Sequence, residues 1–346
     1  VSVKGIAQNS DKETDDLLTQ LVSEKIVVGI SAGYSVDNEI EWQSSSGYSD
    51  QENGVNFELN TIVRIASISK PMTALAVMQL VEKGLINLDA PIQTYISDYP
   101  KQEKTQITTR HLLSHTSGID SYKNAKEAET TINYPNLSDA VDLFKNRELI
   151  FEPGTRYSYT TYGYTLLGLL IEKVSGSTFE EYMRNNIWDK AEMTHTGVEK
   201  FGVKMDNKSV LYHRNKKGKI KEGNKNNLSN RIPGGGFYST LSDMLKFGNC
   251  VLNNVFVKEI TLDLMREHHS LEKERNAYGF GWFLYNPKPN EGALIGHTGE
   301  QTGSSAQIFI IPSKKTVVVA LSNTSGSLRE VSTVAGKLIA MSQKKK

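Results

Sequence analysis

Short apolar runs near both ends of the chain predict β-strands. Residues 27–36 and 39–47 form two such runs on either side of Asp37 and Asn38, which are turn-forming residues, so this segment predicts a β-hairpin. In the last quarter of the chain, turn residues separate further runs at 278–285, 293–297, 305–311 and 316–321. One sheet built from the two ends of the chain is therefore expected.

Apolar residues at helical spacing fill most of the chain between these strands. The clearest helix follows Ser67, where an apolar stripe runs from Ala74 to Val81 and Gly84 ends it. Further helices are predicted over residues 11–25, 139–145, 162–174, 241–252 and 328–341. Residues 200–230 are rich in Lys, Asn and Gly and predict a long exposed loop or a small irregular subdomain.

This order of elements predicts an α+β fold with two interlocked domains. Residues 1–85 and 275–346 are expected to form a sheet domain, and 86–274 a mainly helical insertion. A cleft between the two parts is a natural place for a ligand. We expect its wall to come from loops such as 122–136 and 200–231.

Composition narrows the functional classes. Lys and Arg number 40 against 39 Asp and Glu, a formal charge of +1, which argues against a nucleic acid or an anionic membrane as partner. No apolar run has the length needed to span a bilayer. The sequence begins with Val1 instead of Met and shows no signal-peptide pattern, so Val1 is interpreted as a processed or trimmed start. The single cysteine, Cys250, excludes an intramolecular disulfide and is expected to pack in a helix end.

The strongest chemical motif is Ser67-x-x-Lys70 at the start of the helix that contains Pro71. A Ser and a Lys three residues apart lie on one face of a helical turn, where the amine can reach the hydroxyl. A serine hydroxyl is a weak nucleophile unless a neighbour takes its proton, and a partly desolvated lysine can do so. Ser67 is therefore the candidate for an acylated nucleophile.

Two other Ser-x-x-Lys matches lack this context. Ser270 with Lys273 lies in a charged run, and Ser342 with Lys345 lies in the C-terminal tail. Only Ser67 has a β-rich approach before it and an apolar helix behind it. We therefore assign the motif to Ser67 alone.

A second proton carrier is predicted at Tyr159. It follows the turn at Pro153 and Gly154 and falls just before the helix predicted over 162–174, on the kind of loop that often carries catalytic groups. A nearby cation such as Lys70 is expected to favour the phenolate and lower the pKa of Tyr159. The alternative is that this tyrosine-rich segment is simply a packed turn.

The third motif is His297-Thr298-Gly299, at the end of a β run and followed by Glu300. Glycine at this position lets a substrate backbone approach the strand closely, and the next N–H group can point at a developing oxyanion. His111 and His115 invite a metal site by their proximity, but they lack a third ligand in a matching context. Structural roles are expected for both, and no metal or cofactor is predicted.

In this order, the three motifs resemble those of the class C β-lactamase and penicillin-binding-protein-like serine hydrolases. The segments His111 to Gly118, Gly234 to Thr240 and Tyr278 to Trp282 also match usage in that family, and the resemblance covers nearly the whole chain. It implies an antiparallel sheet flanked by helices. It also implies that Ser67 is acylated, that Lys70 and Tyr159 share the base role, and that the N–H groups of Ser67 and Glu300 form an oxyanion hole.

Two departures from the family pattern affect the expected substrate. The usual Tyr-x-Asn reads Tyr159-Thr160-Thr161, a variant similar to the branch of the mitochondrial β-lactamase-like protein; Thr161 can still donate a hydrogen bond. Tyr-x-Asn also occurs at Tyr122 and at Tyr134, without the Pro-Gly lead-in.

The second departure is His297, which stands where dedicated β-lactamases usually have lysine and is only fractionally charged at neutral pH. Together with the negative charge of Glu300, it is expected to weaken recognition of anionic substrates and to favour neutral or amine-bearing esters or peptides.

The sequence thus predicts a serine hydrolase of ester or amide bonds, namely a peptidase, esterase or D-amino-acid amidase, with weak β-lactamase activity at most. The expected partner is a small molecule or a peptide, and the oligomeric state stays open. The alternative is a penicillin-binding-like protein that acylates slowly or not at all and acts as a sensor or scaffold. By family habit, a periplasmic or secreted location is expected.

Overall fold

The computed structural model describes residues 15–269, 271, 277–285 and 294–344. The strands are β1 (Gly29–Val36), β2 (Glu39–Asp50), β3 (Val55–Asn56), β4 (Val63–Arg64), β5 (Gly197–Val198), β6 (Tyr212–Arg214), β7 (Ile220–Glu222), β8 (Phe237–Ser239), β9 (Phe283–Tyr285), β10 (Leu294–Gln301), β11 (Ser304–Ile311), β12 (Thr316–Ser322) and β13 (Thr324–Ser325). The helices are α1 (15–23 in its described part), α2 (Ser69–Glu82), α3 (Thr109–Leu113), α4 (Ala125–Ala128), α5 (Leu137–Asp142), α6 (Thr161–Ser175), α7 (Phe179–Met183), α8 (Ile232–Gly235), α9 (Leu241–Leu252), α10 (Glu259–Met265) and α11 (Leu328–Lys344).

One antiparallel sheet joins the two ends of the chain, as predicted. Its strand order is β3-β2-β1-β12-β11-β10-β9, so β1 from the N-terminal part pairs with β12 from the C-terminal part. The predicted hairpin connects β1 and β2. Asp37 and Asn38 at its turn have φ values of 49° and 74°, the left-handed conformation that a two-residue hairpin turn requires.

Both faces of the central sheet are covered by helices, which explains why β12 is apolar throughout. Val318 and Ala320 pack with α1 and α11 on one face. Val317, Val319 and Leu321 point to the other face, into a core that they share with the helical region. Neighbouring strand residues point to opposite faces, so a strand buried on both faces shows no polar alternation.

The predicted helix after Ser67 is observed as α2, but it is more buried than its sequence indicated. All of its residues from Ser69 to Leu80 are buried, so it is a central helix and not one with a single apolar stripe. It ends where predicted, with Gly84 in a left-handed conformation at φ 69°.

Two other predicted helices agree closely with the structure. The helix predicted over 162–174 is observed as α6 and is followed by Gly176 at φ 74°. The helix predicted over 241–252 is observed as α9, which packs against β1 and β12. The division of the chain at residues 85 and 275 stays a prediction.

The polar segment 200–230 is only partly the exposed loop that its composition predicted. Its middle forms a hairpin of β6 and β7, joined in parallel by β13. Its end is buried: Asn226 and Leu228 are each 1% exposed, and Asn230 is fully covered. Burial there comes from loop contacts with residues 127–134, which local composition cannot reveal.

Across the described residues, the helices are all too short or too polar to cross a bilayer.

Parts of several predictions lie outside the described residues: the interpretation of Val1, the ends of the predicted sheet domain (1–14, 275–276 and 345–346), the start of the first helix (11–14), the start of the run at 293–297, the motif at Ser270 and Lys273, and Lys345.

Candidate active site

Ser67 lies in a tight 3₁₀ turn, Ala66–Ile68, between β4 and α2. Hydrogen bonds on both sides hold the turn in place. The Ile65 N–H donates to the Phe237 carbonyl oxygen at 3.1 Å, and the Ser69 hydroxyl donates to the Ala66 carbonyl oxygen at 2.7 Å. Ala66 has φ 47°, a left-handed conformation that is unusual for a residue with a Cβ atom. Such strain is held only where the surroundings enforce it, and it often marks functional sites.

Lys70 lies beneath Ser67 and is completely buried. Its Nζ is 3.0 Å from Ser67 Oγ, 3.3 Å from Thr161 Oγ1 and 2.7 Å from the Gly234 carbonyl oxygen. Burial lowers the pKa of Lys70 well below its usual value, and the positive charge of Arg231 lowers it further. A neutral amine here can donate to Gly234 and Thr161 and accept a proton from Ser67, which is the geometry of a general base.

Tyr159 completes the group. A hydrogen bond joins its side chain to that of Ser67, and Lys70 Nζ lies 4.7 Å from the centre of its ring. The expected lowering of its pKa by Lys70 is wrong: burial raises the pKa of Tyr159 well above its usual value, and the hydrogen bond with the Ser67 side chain only partly opposes this. Because burial also disfavours the protonated form of Lys70, this residue supplies less positive charge to stabilise a phenolate.

His297 is buried and keeps both ring nitrogens occupied. Nδ1 lies 2.6 Å from the Thr298 carbonyl oxygen, which can only accept, so Nδ1 carries the proton. Nε2, 3.1 Å from the Tyr278 hydroxyl, is then the acceptor. Burial, together with the charge of Lys70, lowers the pKa of His297 to about 3, so the ring is neutral. It does not replace the cation that a lysine would supply at this position.

The remaining residues of the third motif lie along β10, beside the Ser67 turn. A Cβ atom on Gly299 would fall 2.3 Å from the Ile65 carbonyl oxygen, so only glycine lets the strand come this close. The Glu300 carboxylate accepts the Gly326 N–H at 2.8 Å and is exposed. The side chain of Thr298 is half-buried. An oxyanion hole formed by the N–H groups of Ser67 and Glu300 stays a prediction.

Thr161 is the first residue of α6 and forms the back of the site. Besides Lys70, its side chain bonds to the Tyr122 hydroxyl. Thr161 also crowds Gly234, where an added Cβ atom would lie 2.7 Å from the Thr161 methyl group. The threonine of the variant second motif thus contacts the lysine directly.

Two residues of this site, Tyr122 and Arg231, have no individual role predicted from the sequence, although both lie in the loops expected to form the pocket wall. The Arg231 guanidinium lies 4.6 Å from the centre of the Tyr122 ring and donates to the carbonyl oxygen of Ala128 and the side chain of Asn230. The Tyr-x-Asn match at Tyr122 lacks the Pro-Gly lead-in, and no local feature distinguishes Arg231 from the rest of its polar loop.

The two loops expected to form the pocket wall do meet. The Asn227 N–H donates to the Thr130 carbonyl oxygen at 2.7 Å, and the Tyr134 N–H donates to Ser229 Oγ at 2.9 Å. Residues 127–134 therefore lie across residues 226–231, the segment that ends at Arg231.

The two histidines considered as metal ligands have structural partners. His111 Nδ1 accepts the Thr108 N–H at 3.3 Å in a helix cap, and His115 Nδ1 accepts the Thr160 N–H at 3.2 Å. In the described part of the chain, no three His, Cys, Asp or Glu side chains are grouped so as to hold a metal ion.

Comparison with known proteins agrees with this geometry. A sequence profile of the β-lactamase family matches residues 14–339. The human mitochondrial serine β-lactamase-like protein LACTB is 28% identical over 390 residues, covering 86% of this chain and 71% of LACTB. Penicillin-binding protein 4* of Bacillus subtilis is also 28% identical, over 82% of this chain and 66% of that protein.

Solved structures show the same fold. The octameric penicillin-binding protein homologue from Pyrococcus abyssi superposes with a TM-score of 0.84 at 27% identity, covering 96% of this chain and 77% of that one. The D-amino acid amidase of Ochrobactrum anthropi SV3 gives 0.83 at 22% identity, covering 98% and 99%. At 22% identity, the similarity to the amidase shows a shared fold and nothing more.

Proposed function

The chain belongs to the β-lactamase family of serine hydrolases, and we propose that it cleaves ester or amide bonds through an acyl-enzyme on Ser67. The observation that carries this proposal is the contact between the Ser67, Lys70 and Tyr159 side chains. Lys70 Nζ is 3.0 Å from Ser67 Oγ, and Tyr159 is hydrogen-bonded to the same serine.

In the first half of the reaction, neutral Lys70 takes the proton of the Ser67 hydroxyl as Oγ attacks the substrate carbonyl carbon. The C–O or C–N bond to the leaving group then breaks. Tyr159, a phenol at neutral pH because burial raises its pKa, gives its proton to the leaving group and recovers one from Lys70. A water molecule then hydrolyses the Ser67 ester by the reverse order of proton transfers.

We propose neutral esters, amides or peptides as substrates, with β-lactams as poor ones. The support is His297: its one N–H is bonded to the Thr298 carbonyl oxygen, so it has none to offer a carboxylate. Arg231 is also engaged, by Ala128, Asn230 and the Tyr122 ring. The expectation of amine-bearing substrates loses support, because the Glu300 carboxylate is bonded to Gly326.

A fluorophosphonate probe tests the nucleophile. We expect rapid labelling of the wild type, loss of labelling in Ser67→Ala, and unchanged labelling in Ser342→Ala, the serine of a competing Ser-x-x-Lys match. A panel of p-nitrophenyl esters, D-amino-acid anilides and nitrocefin then tests turnover. Labelling without turnover of any ester or amide would contradict the hydrolase, and nitrocefin turnover comparable to that of an efficient β-lactamase would contradict the substrate class.

We further propose a periplasmic or extracellular location, on the strength of the family resemblance alone. Fractionation of the source organism with an antibody to this chain tests the location. Recovery in the cytoplasmic fraction would contradict it.

A further inference from the structure

Tyr159 is held from three directions by one residue, His115. The His115 carbonyl oxygen accepts the N–H of Ser158 at 2.9 Å, and its Nδ1 accepts the N–H of Thr160 at 3.2 Å. Between these two bonds, the His115 ring packs on the Tyr159 ring with 4.3 Å between their centres. Both chain neighbours of the tyrosine and the tyrosine itself are thus fixed to the same histidine.

This arrangement requires a neutral imidazole with one particular tautomer. Nδ1 accepts a hydrogen bond, so the proton must be on Nε2, which is buried without a hydrogen-bond partner. The ring is enclosed by Tyr159, Tyr164 and Tyr278, at 4.3, 5.2 and 4.7 Å between centres. Burial, and then the positive charge of protonated Lys70, lower the pKa of His115 well below its usual value, so Nδ1 is unprotonated at neutral pH and can accept the hydrogen bond.

The backbone at His115 is also specialised. Its φ of 59° is left-handed, a conformation that costs most residues energy and that Asn, Asp and His tolerate better than others. This conformation belongs to the tight turn that ends α3 at residues 114–116. A buried N–H group without a partner and a left-handed φ both cost free energy of folding. A residue with a purely structural role at this position would need neither feature.

We propose that His115 is a positioning residue for Tyr159, which it aligns with Ser67 Oγ through the hydrogen bond to Thr160 and the ring contact. The proposal rests on the proposed function, in which Tyr159 transfers a proton. His115 itself touches no reacting atom. Its effect therefore passes through Tyr159 and should vanish when the phenol is absent.

Two substitutions separate the parts of this role without adding backbone strain. His115→Asn keeps a left-handed former and places an oxygen where Nδ1 stood, so it can still accept the Thr160 N–H. His115→Gly also tolerates this φ but removes both the acceptor and the ring. Each is made in the wild type and in Tyr159→Phe, and kcat, KM and the melting temperature are measured with a p-nitrophenyl ester and an anilide.

We expect Tyr159→Phe to lower kcat by ~10²–10⁴-fold on the anilide, whose leaving group needs a proton. His115→Gly should lower kcat ~10²-fold with little change in KM, because a displaced proton donor fails in the transition state and not in binding. His115→Asn should lose less than ~10-fold if Asn supplies the missing acceptor. In Tyr159→Phe, neither His115 substitution should lower kcat by more than ~3-fold further, since residues that act as a unit are not additive.

An equal loss from His115→Gly in both backgrounds would overturn the inference and leave the proposed function standing. So would a His115→Asn enzyme as impaired as His115→Gly. Full activity of Tyr159→Phe would instead remove Tyr159 from the proposed mechanism. If His115→Gly melts below the assay temperature, all variants are compared at a lower temperature at which each of them is folded.

Discussion

The chemistry of this site depends on how burial acts on two titratable side chains. Burial penalises the charged form of any group, so the same environment lowers the pKa of Lys70 and raises that of Tyr159. The unprotonated amine is thereby favoured as a base, and the phenol keeps its proton and can act as a donor. Groups whose pKa values are pushed apart in this way can divide the acid and base roles between them.

The charge of Arg231 has a testable effect on Lys70. The titratable or charged groups around the amine are Arg231, Tyr159, Tyr164, His115 and His297, and no carboxylate of the described residues forms an ion pair with it. Arg231→Gln removes the positive charge that disfavours protonated Lys70, so the pKa of Lys70 rises. More of the base is then protonated at neutral pH. We therefore expect the acid limb of the kcat/KM profile to move to higher pH.

The control for this prediction is Arg156→Gln, which removes an exposed guanidinium from the Tyr159 loop. Its pH profile should match that of the wild type. An unchanged acid limb in Arg231→Gln, or one moved to lower pH, would contradict the assigned influence of Arg231. Melting curves of both variants show whether the comparison is made on folded protein.

At the scale of elements, the site depends on how closely β10 approaches the Ser67 turn. Gly299 touches Ile65 and Ala66, so an alanine methyl group would force the strand and the turn apart. An oxyanion hole that needs one N–H from each side would lose its spacing, and loss of one donor typically costs ~10²–10³-fold in kcat. We expect Gly299→Ala to lower the rate of fluorophosphonate labelling and kcat by a similar factor.

Gly336→Ala is the matched control for Gly299→Ala. Gly336 is exposed on α11 with nothing near its added Cβ atom, and alanine there should raise stability by about 1 kcal/mol with no effect on labelling. Wild-type labelling in Gly299→Ala would show that the spacing between β10 and the turn is not needed for acylation.

The elements that the sequence predicted well are those whose signals are local. The hairpin at Asp37, the helix that ends before Gly176 and the apolar run of β12 each depend on turn residues or spacing within a few positions. The burial of residues 226–231 and the place of Arg231 depend on a loop about 100 positions earlier, which no local pattern reports. The predicted direction of the pKa shift of Tyr159 was wrong for a related reason: that direction depends on how completely the folded site excludes water.

At the scale of the whole molecule, a buried ion pair connects the nucleophile turn to distant segments. Arg64, three residues before Ser67, places its guanidinium on Glu199, with N–O distances down to 2.5 Å, and also donates to Asn226 and to the Thr302 carbonyl oxygen. Lys208 binds the same carboxylate at 2.9 Å. Burial alone would raise the pKa of Glu199, but the hydrogen bonds and charges of Arg64 and Lys208 lower it. Its contribution to stability is therefore present at neutral pH and is lost as the pH falls through the lowered value.

Breaking this pair from one side should be far more damaging than breaking an exposed one. The side chains of Arg64 and Glu199 are 1% and 6% exposed, so Arg64→Met leaves a buried carboxylate whose one remaining charged partner among the described residues is Lys208. Such a change typically costs about 3–5 kcal/mol, whereas replacing both partners by apolar residues is often neutral. We expect a large loss in urea stability for Arg64→Met, and partial recovery in Arg64→Met/Glu199→Leu.

Lys104→Met, which breaks the exposed Lys104–Glu152 pair, should leave the urea midpoint unchanged, because solvent already screens those charges. Arg64 also fixes the strand that leads into the Ser67 turn, so the labelling rate should fall in Arg64→Met even where the protein is fully folded. Recovery of stability without recovery of labelling in the double variant would show that these polar contacts align the nucleophile. Equal recovery of both would mean that Arg64 serves stability alone.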